Sequence, residues 1–304
     1  MPLLANQSNL EFDSKGTATA GARRARGCFV SALALHWPEY LMEAAELGLF
    51  MVSACFFSVL LGYPGSPIAR AIHDPLLRRL LAGLAMSVTA ISIIYSPWGK
   101  QSGAHMNPAL TLTFMQLKKV ESADAFFYVV AQFLGAIAGV ATSWLILGMA
   151  VSDRAVRFAV TQPGPSGWRT AFVAETIVSF VMVLTVLTVS NTKNLSRYTP
   201  IFAGTLIATY ITFESPLSGM SMNPARTCGS ALFASSFEGL WIYFVAPPIG
   251  MLLAAQVFVS ARSAKSVHCA KLHHDNSKRC IFRCTYAELA KAASATSGYS
   301  RTAP

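Results

Sequence analysis

Two nine-residue stretches carry the side chains with the most chemistry in them. One reads Ser102-Gly103-Ala104-His105-Met106-Asn107-Pro108-Ala109-Leu110, the other Ser218-Gly219-Met220-Ser221-Met222-Asn223-Pro224-Ala225-Arg226. Both share Ser-Gly, two intervening residues and Met-Asn-Pro-Ala, with the asparagines 116 residues apart. Asparagine is a favoured N-cap because its side chain accepts from a free backbone N–H. Proline is favoured at the first helical position, where a missing N–H costs nothing. Each stretch is therefore a helix start. One such start would be ordinary, and two with matching flanks point to duplication.

A helix start carries roughly half a positive charge. Two starts meeting inside a membrane would oppose a cation. Their asparagine side chains, Asn107 and Asn223, would offer N–H donors to a passing oxygen. Fixed donors hinder the reorientation of water that a proton wire needs. Such a meeting point suits neutral polar molecules and rejects protons and cations. Arg226, one turn into the second helix, would add a fixed positive charge, and a charge at membrane depth is functional by default. His105 would line a vestibule. Glu43 and Glu175, each followed by a long uncharged run, would brace the loop N–H groups rather than do chemistry.

The elements that must hold these residues are legible in composition. The 304-residue chain is 53% hydrophobic and 12% charged, with mean hydropathy +0.46. Soluble domains carry about twice that charge density, so an ordinary soluble enzyme and a disordered chain are both excluded. Six apolar stretches run roughly over 37–61, 76–95, 125–151, 171–190, 200–213 and 240–259. Each approaches the ~20 residues that cross a bilayer as a helix, the fifth being short. The stretches 108–116 and 224–233 begin at proline and are too short to span, so they must be buried half-helices. Three spans per half insert the halves in opposite orientation, an inverted repeat with its site near the midplane.

Net charge is +10, concentrated at the ends. With the N-terminus inside, 17 Lys/Arg fall on the cytoplasmic side and 6 outside, Arg226 being left uncounted. That asymmetry places both ends in the cytoplasm. Basic flanks on an apolar body, without interleaved aromatics, exclude nucleic acid as a partner. The expected organisation is a polar basic tail over 1–35, a channel domain over 36–260 and a disordered basic tail over 261–304. Cys269, Cys280 and Cys284 share that last tail with His268, His273 and His274. Their spacing matches no standard zinc pattern, so no metal is assigned, and no cofactor either. An intramembrane enzyme using His105 with Glu43 or Glu175 is disfavoured, because the spans hold no nucleophile motif or metal cluster. A structural membrane protein is the other remote alternative.

Together the paired Asn-Pro-Ala motifs, Ser-Gly-Ala-His before the first and Arg226 after the second resemble the aquaporin (major intrinsic protein) family. Ala174-Glu175 and the run Ala131-Gln132-Phe133-Leu134-Gly135-Ala136 add to the likeness, which covers about 37–260. The resemblance implies an all-α membrane protein of six transmembrane helices plus two re-entrant half-helices. It implies one pore per subunit, a homotetramer in the plasma membrane and passive flux. Carried over, Asn107, Pro108, Ala109, Asn223, Pro224 and Ala225 form the central constriction. Glu43, rather than Glu46, and Glu175 are the family's bracing pair.

The resemblance also implies a narrower four-residue filter: Arg226, Met220, Ile211 and, from the second span, Leu84 or Leu80. Strict water channels usually place His where Ile211 stands. Glycerol facilitators usually combine the filter Arg with two aromatics and a Gly, and carry Asp where Thr227 stands and a basic residue where Ala231 stands. Those last markers lean to the water-channel branch, and the aliphatic filter leans away from it. The expectation is a water channel that also admits small neutral solutes, with a facilitator of glycerol, urea or another neutral solute as the alternative.

Overall fold

In a computed structural model, residues 20–274 and 276–286 are described. Among them the main helices are α1 (Ala20–Gly62), α2 (Pro75–Tyr95), α3 (Pro108–Gln116), α4 (Ser122–Leu147), α5 (Gly167–Ser190), α6 (Thr199–Phe213), α7 (Pro224–Ala234) and α8 (Leu240–Arg262). The described residues hold no strand. Five helices, α1, α2, α4, α5 and α8, are long and apolar enough to cross a membrane. At 15 residues, α6 is about 22 Å long, short of the ~30 Å hydrocarbon core, and a turn over Ser215–Ser218 extends it.

The two halves mirror each other in packing. Helix α1 lies mainly against α4, and α8 mainly against α5. Each crossing needs a glycine. A Cβ at Gly135 of α4 would strike the carbonyl oxygen of Ala44, and one at Gly250 of α8 the carbonyl oxygen of Thr176. Close backbone approach of this kind holds helices together where lipid supplies no hydrophobic drive. Outward faces carry Leu145, Ile146, Met149 and Phe213, all exposed and apolar.

Both half-helices start as anticipated. Asn107 caps α3 by accepting from Ala109 N, and Asn223 caps α7 by accepting from Ala225 N and Arg226 N, with proline following in each. Helix α3 ends at Gln116, as expected, and α7 runs one residue further than expected.

Two tail expectations need correction. Helix α1 begins at Ala20, well before residue 35. Its early turns hold because Phe29 packs edge-on against Phe126 and Phe127, while His36 bonds to Asp124 at 2.6 Å. The C-terminal segment up to Tyr286 is also packed rather than disordered. Val267, Ala270, Lys271 and Leu272 are buried within it. Its backbone is tied down by Leu272 N to Gly103 O at 3.1 Å and by Arg283 N to Lys119 O at 3.0 Å. The physical reason is long-range pairing, which a local reading of charge does not capture. Residues 1–19 and 287–304 of the expected tails lie outside the described residues.

Candidate functional site

The loops before the two half-helices take an unusual backbone. Ala104, Met106, Met220 and Met222 all have φ between 49° and 55°. Left-handed backbone costs a non-glycine residue about 1–2 kcal/mol, so something must hold it. Glu43 does so for the first loop: Oε1 accepts from His105 N and Oε2 from Met106 N, both at 2.7 Å. Gln132 Nε2 fixes the same carboxylate at 2.9 Å. Glu175 repeats the arrangement, accepting from Ser221 N and Met222 N at 2.7 Å and from Ser218 Oγ at 2.8 Å.

Further members of the frame were not anticipated. Ser102 Oγ bonds to the buried carboxylate of Glu46, and Ser218 Oγ to that of Glu214. Tyr128 OH donates to Ser102 O and Tyr243 OH to Ser218 O. The symmetric Ser-Gly pair in the sequence was the signal that could have found the two serines. The tyrosines, far away in sequence, gave no signal of their own.

The loops then lock onto each other. Asn107 Nδ2 donates to Met222 O at 2.7 Å, and Asn223 Nδ2 donates to Met106 O at 2.6 Å. An asparagine amide has two N–H donors, so each retains one beyond this cross-link. Both asparagines line a cavity of about 220 Å³ that runs between the halves.

At the mouth near the end of α6, the cavity is walled by Ala82, Ile211, Met220 and Arg226. Leu84, the expected filter residue of α2, does not reach it. Leu84 is 49% exposed on the outer face, and Leu80 is 40% exposed. Two residues turn a helix by about 200°, so the residue that faces inward is Ala82. Its level matches Ile211: a Cβ at the adjacent Gly83 would touch Ala208 and Thr212, and Arg79 Nε donates to Thr212 O at 2.9 Å. The wall is therefore wider than leucine would make it.

Arg226 is the sole charged side chain among the described residues lining the cavity. Its Nη1 is buried without a hydrogen-bond partner among the described residues. A donor left over at a lumen is available to a solute oxygen. Apolar Phe50, Ile207, Val183 and Val186 line the same cavity, together with Ser58, Ser215 and Ser221. The lumen thus combines a few donors with a largely apolar lining.

His105 borders the cavity but has no free nitrogen. Nε2 meets Ala270 O at 2.9 Å, and Nδ1 meets Thr111 Oγ1 at 3.0 Å. Its ring is stacked between Phe114 and Phe282, with centroids 5.2 and 5.3 Å away. His105 consequently lines the cavity with its ring while both nitrogens are bonded, and it supports the C-terminal segment.

Comparison with known proteins fits this architecture. Residues 37–258 match the family model described as Major intrinsic protein. The chain is 34% identical over 221 residues to the glycerol uptake facilitator protein-like 6 of Lactiplantibacillus plantarum, covering 71% of this chain and 94% of that protein. It is 32% identical over 264 residues to aquaporin NIP2-1 of Oryza sativa subsp. japonica, covering 85% and 83% of the two chains. The aquaglyceroporin structure from Plasmodium falciparum superposes with a TM-score of 0.61 at 21% identity, covering 73% of this chain and 95% of that one. These relatives do not set the chain in a water-channel branch apart from facilitators, as the markers Thr227 and Ala231 had led us to expect. The family model and the extent of the similarity to these relatives show that this chain belongs to the major intrinsic protein family of membrane channels.

Proposed function

We propose that the chain is a passive pore for small uncharged polar solutes, with water passing as well, and that it excludes protons and ions. The carrying observation is the lumen itself. Donors from Asn107, Asn223 and Arg226 share a largely apolar lining with Phe50, Ile207, Val183 and Val186, and Ala82 leaves the filter wide. A solute with a hydroxylated edge and an apolar edge is matched by both kinds of lining. Water alone would find few partners on the apolar part.

Exclusion follows from charge. The N-terminal ends of α3 and α7 face the same cavity and together oppose a cation there. Arg226 adds a full positive charge, and no carboxylate lines the path among the described residues. Asn107 and Asn223 then form the central constriction, while Arg226, Ile211, Met220 and Ala82 form the filter.

A strict water channel is the second reading. It is favoured by Thr227, which stands where facilitators usually carry Asp. Thr227 is fully buried and bonded to Thr161 and Ser221, so no carboxylate stands at that position. In either reading both ends are cytoplasmic, as the Lys/Arg asymmetry supports, and the family resemblance is the ground for a homotetramer in the plasma membrane.

The test is stopped-flow light scattering on proteoliposomes. Shrinkage in impermeant sucrose reports water, and re-swelling in glycerol reports solute entry. Accelerated re-swelling is the expected result. Fast shrinkage without it would favour the strict water channel. Neither response from folded protein stripped of any bound metal would refute the pore.

A further inference from the structure

The segment after α8 is hard to explain as it stands. Described residues between Val267 and Thr285 form no helix or strand, yet Cys269, Ala270, Lys271, Leu272 and Phe282 are all buried. An irregular loop of this length that packs so tightly calls for a cross-link. Its cysteines are not disulfide-bonded.

Four side chains in this loop converge: Cys269, His274, Cys280 and Cys284, whose donor atoms all lie within 4.8 Å of one another. Cys269 Sγ is 3.5 Å from Cys280 Sγ, and Cys284 Sγ is 3.0 Å from His274 Nε2. Around a zinc ion with Zn–S ≈ 2.3 Å, tetrahedral sulfur ligands sit about 3.8 Å apart. Two pairs are already near that spacing, and the widest must close by about 1 Å. Three thiols and one imidazole are a soft donor set that selects zinc-class ions over calcium or magnesium. Lys271 N donates to Cys269 Sγ at 3.5 Å, and Lys271 Nζ holds the turn through Arg279 O at 2.6 Å. The ring of Tyr286 stacks on His274 at 4.3 Å. Four protein ligands leave no open coordination position, so the site is structural rather than catalytic.

What this loop covers gives the site a consequence. Leu272 reaches into the cavity, and Phe282 lies flat on His105. Ala270 O caps His105 Nε2. On its other side the loop is tied to α5, since Tyr286 OH donates to Ser190 O at 3.0 Å.

We propose that Cys269, His274, Cys280 and Cys284 bind one zinc-class divalent cation per chain in a closed tetrahedral site, and that this cation latches the C-terminal segment across the adjacent mouth of the pore. Binding releases the thiol protons and replaces them with metal–sulfur bonds. Without the metal the loop is held by those hydrogen bonds and its packing alone, and Leu272 and Phe282 leave the mouth. The cytoplasm keeps thiols reduced, so the ligands are available on that side. The metal site stands by itself, and its closing effect rests on the channel reading.

The test uses the full-length chain, purified with reductant, stripped of metal and titrated with Co²⁺. The expected result is one Co²⁺ per chain, with sulfur-to-cobalt charge transfer and the strong visible absorption of tetrahedral cobalt, both lost on adding Zn²⁺. The double variant Cys280→Ser, Cys284→Ser should lose that spectrum. No stoichiometric uptake, a spectrum without thiolate ligation, or uptake unchanged in the double variant overturns the site. The wild-type spectrum decides even if the variant does not fold. In proteoliposomes, stripping the metal should raise flux severalfold in the wild type and leave Leu272→Ala, already open, nearly unchanged. Equal wild-type flux with and without metal overturns the latch while the site stands. No flux from metal-free wild type and Leu272→Ala alike would overturn the channel reading and the latch with it.

Discussion

Replacing Glu175 with glutamine removes one negative charge and almost no volume, and it tests the frame of the pore directly. All the partners of this carboxylate are donors: Ser218 Oγ, Ser221 N and Met222 N. A glutamine amide keeps one acceptor oxygen and turns an N–H₂ toward the other donor. Hydrogen bonds to a charged group are worth about 1.5–3 kcal/mol each, and a buried donor left unpaired costs about 1–3 kcal/mol. Losing one N–H bond outright and weakening the others should cost the loop about 3 kcal/mol, or on the order of 100-fold in its closed population. Met220 and Met222, held at φ 51° and 55°, would no longer be compensated for their strain. Met222 O is also the acceptor for Asn107, so the constriction loosens from both sides. The assay is stopped-flow shrinkage per folded channel, together with thermal denaturation in detergent. Glu175→Gln should lower both water flux and thermal stability while the helix content by circular dichroism stays close to wild type. Unchanged flux and unchanged denaturation would refute the view that this carboxylate holds the loop.

Four further outcomes can be measured. Ala82→Leu should narrow the filter and slow glycerol re-swelling more than water shrinkage, whereas Leu84→Ala, on the outer face, should alter neither; a reversed pattern would return Leu84 to the pore. Arg226→Val removes the cavity's sole cation and a free donor, so larger polyols should enter and selectivity should fall, and identical solute entry would take Arg226 off the path. Asn223→Asp adds a negative charge at the constriction and loses the donor to Met106 O, so a pH-sensitive dye inside the vesicles should report an increased proton or cation leak. Phe282→Ala removes the ring stacked on His105 and should open the adjacent mouth, seen as faster shrinkage in metal-loaded vesicles.

The starts of the two half-helices were readable in advance because their determinants are local. An Asn-Pro pair starts a helix through its own side chain and its own missing N–H, whatever lies around it, so Asn107 and Asn223 cap α3 and α7 where expected. Glu43 meets loop N–H groups, while Glu46 and Glu214 meet the serines of the same loops. His105 was legible as a loop residue near the pore. Its stacking on Phe282, 177 residues away in sequence, was not.

Sequence alone therefore determined the membrane class, the paired half-helices, the motif asparagines and the arginine beside them, because composition and capping act over a few residues. Only the tertiary structure decided which face of α2 meets the lumen. Ala82 and Leu84 are both apolar, and helix rotation against α6 separates them. It alone also brought Cys269, His274, Cys280 and Cys284 together, since an irregular loop carries no periodicity from which their convergence could be read. Where side chains meet through packing between distant segments, position in space is set by the whole fold, and spacing along the chain does not encode it.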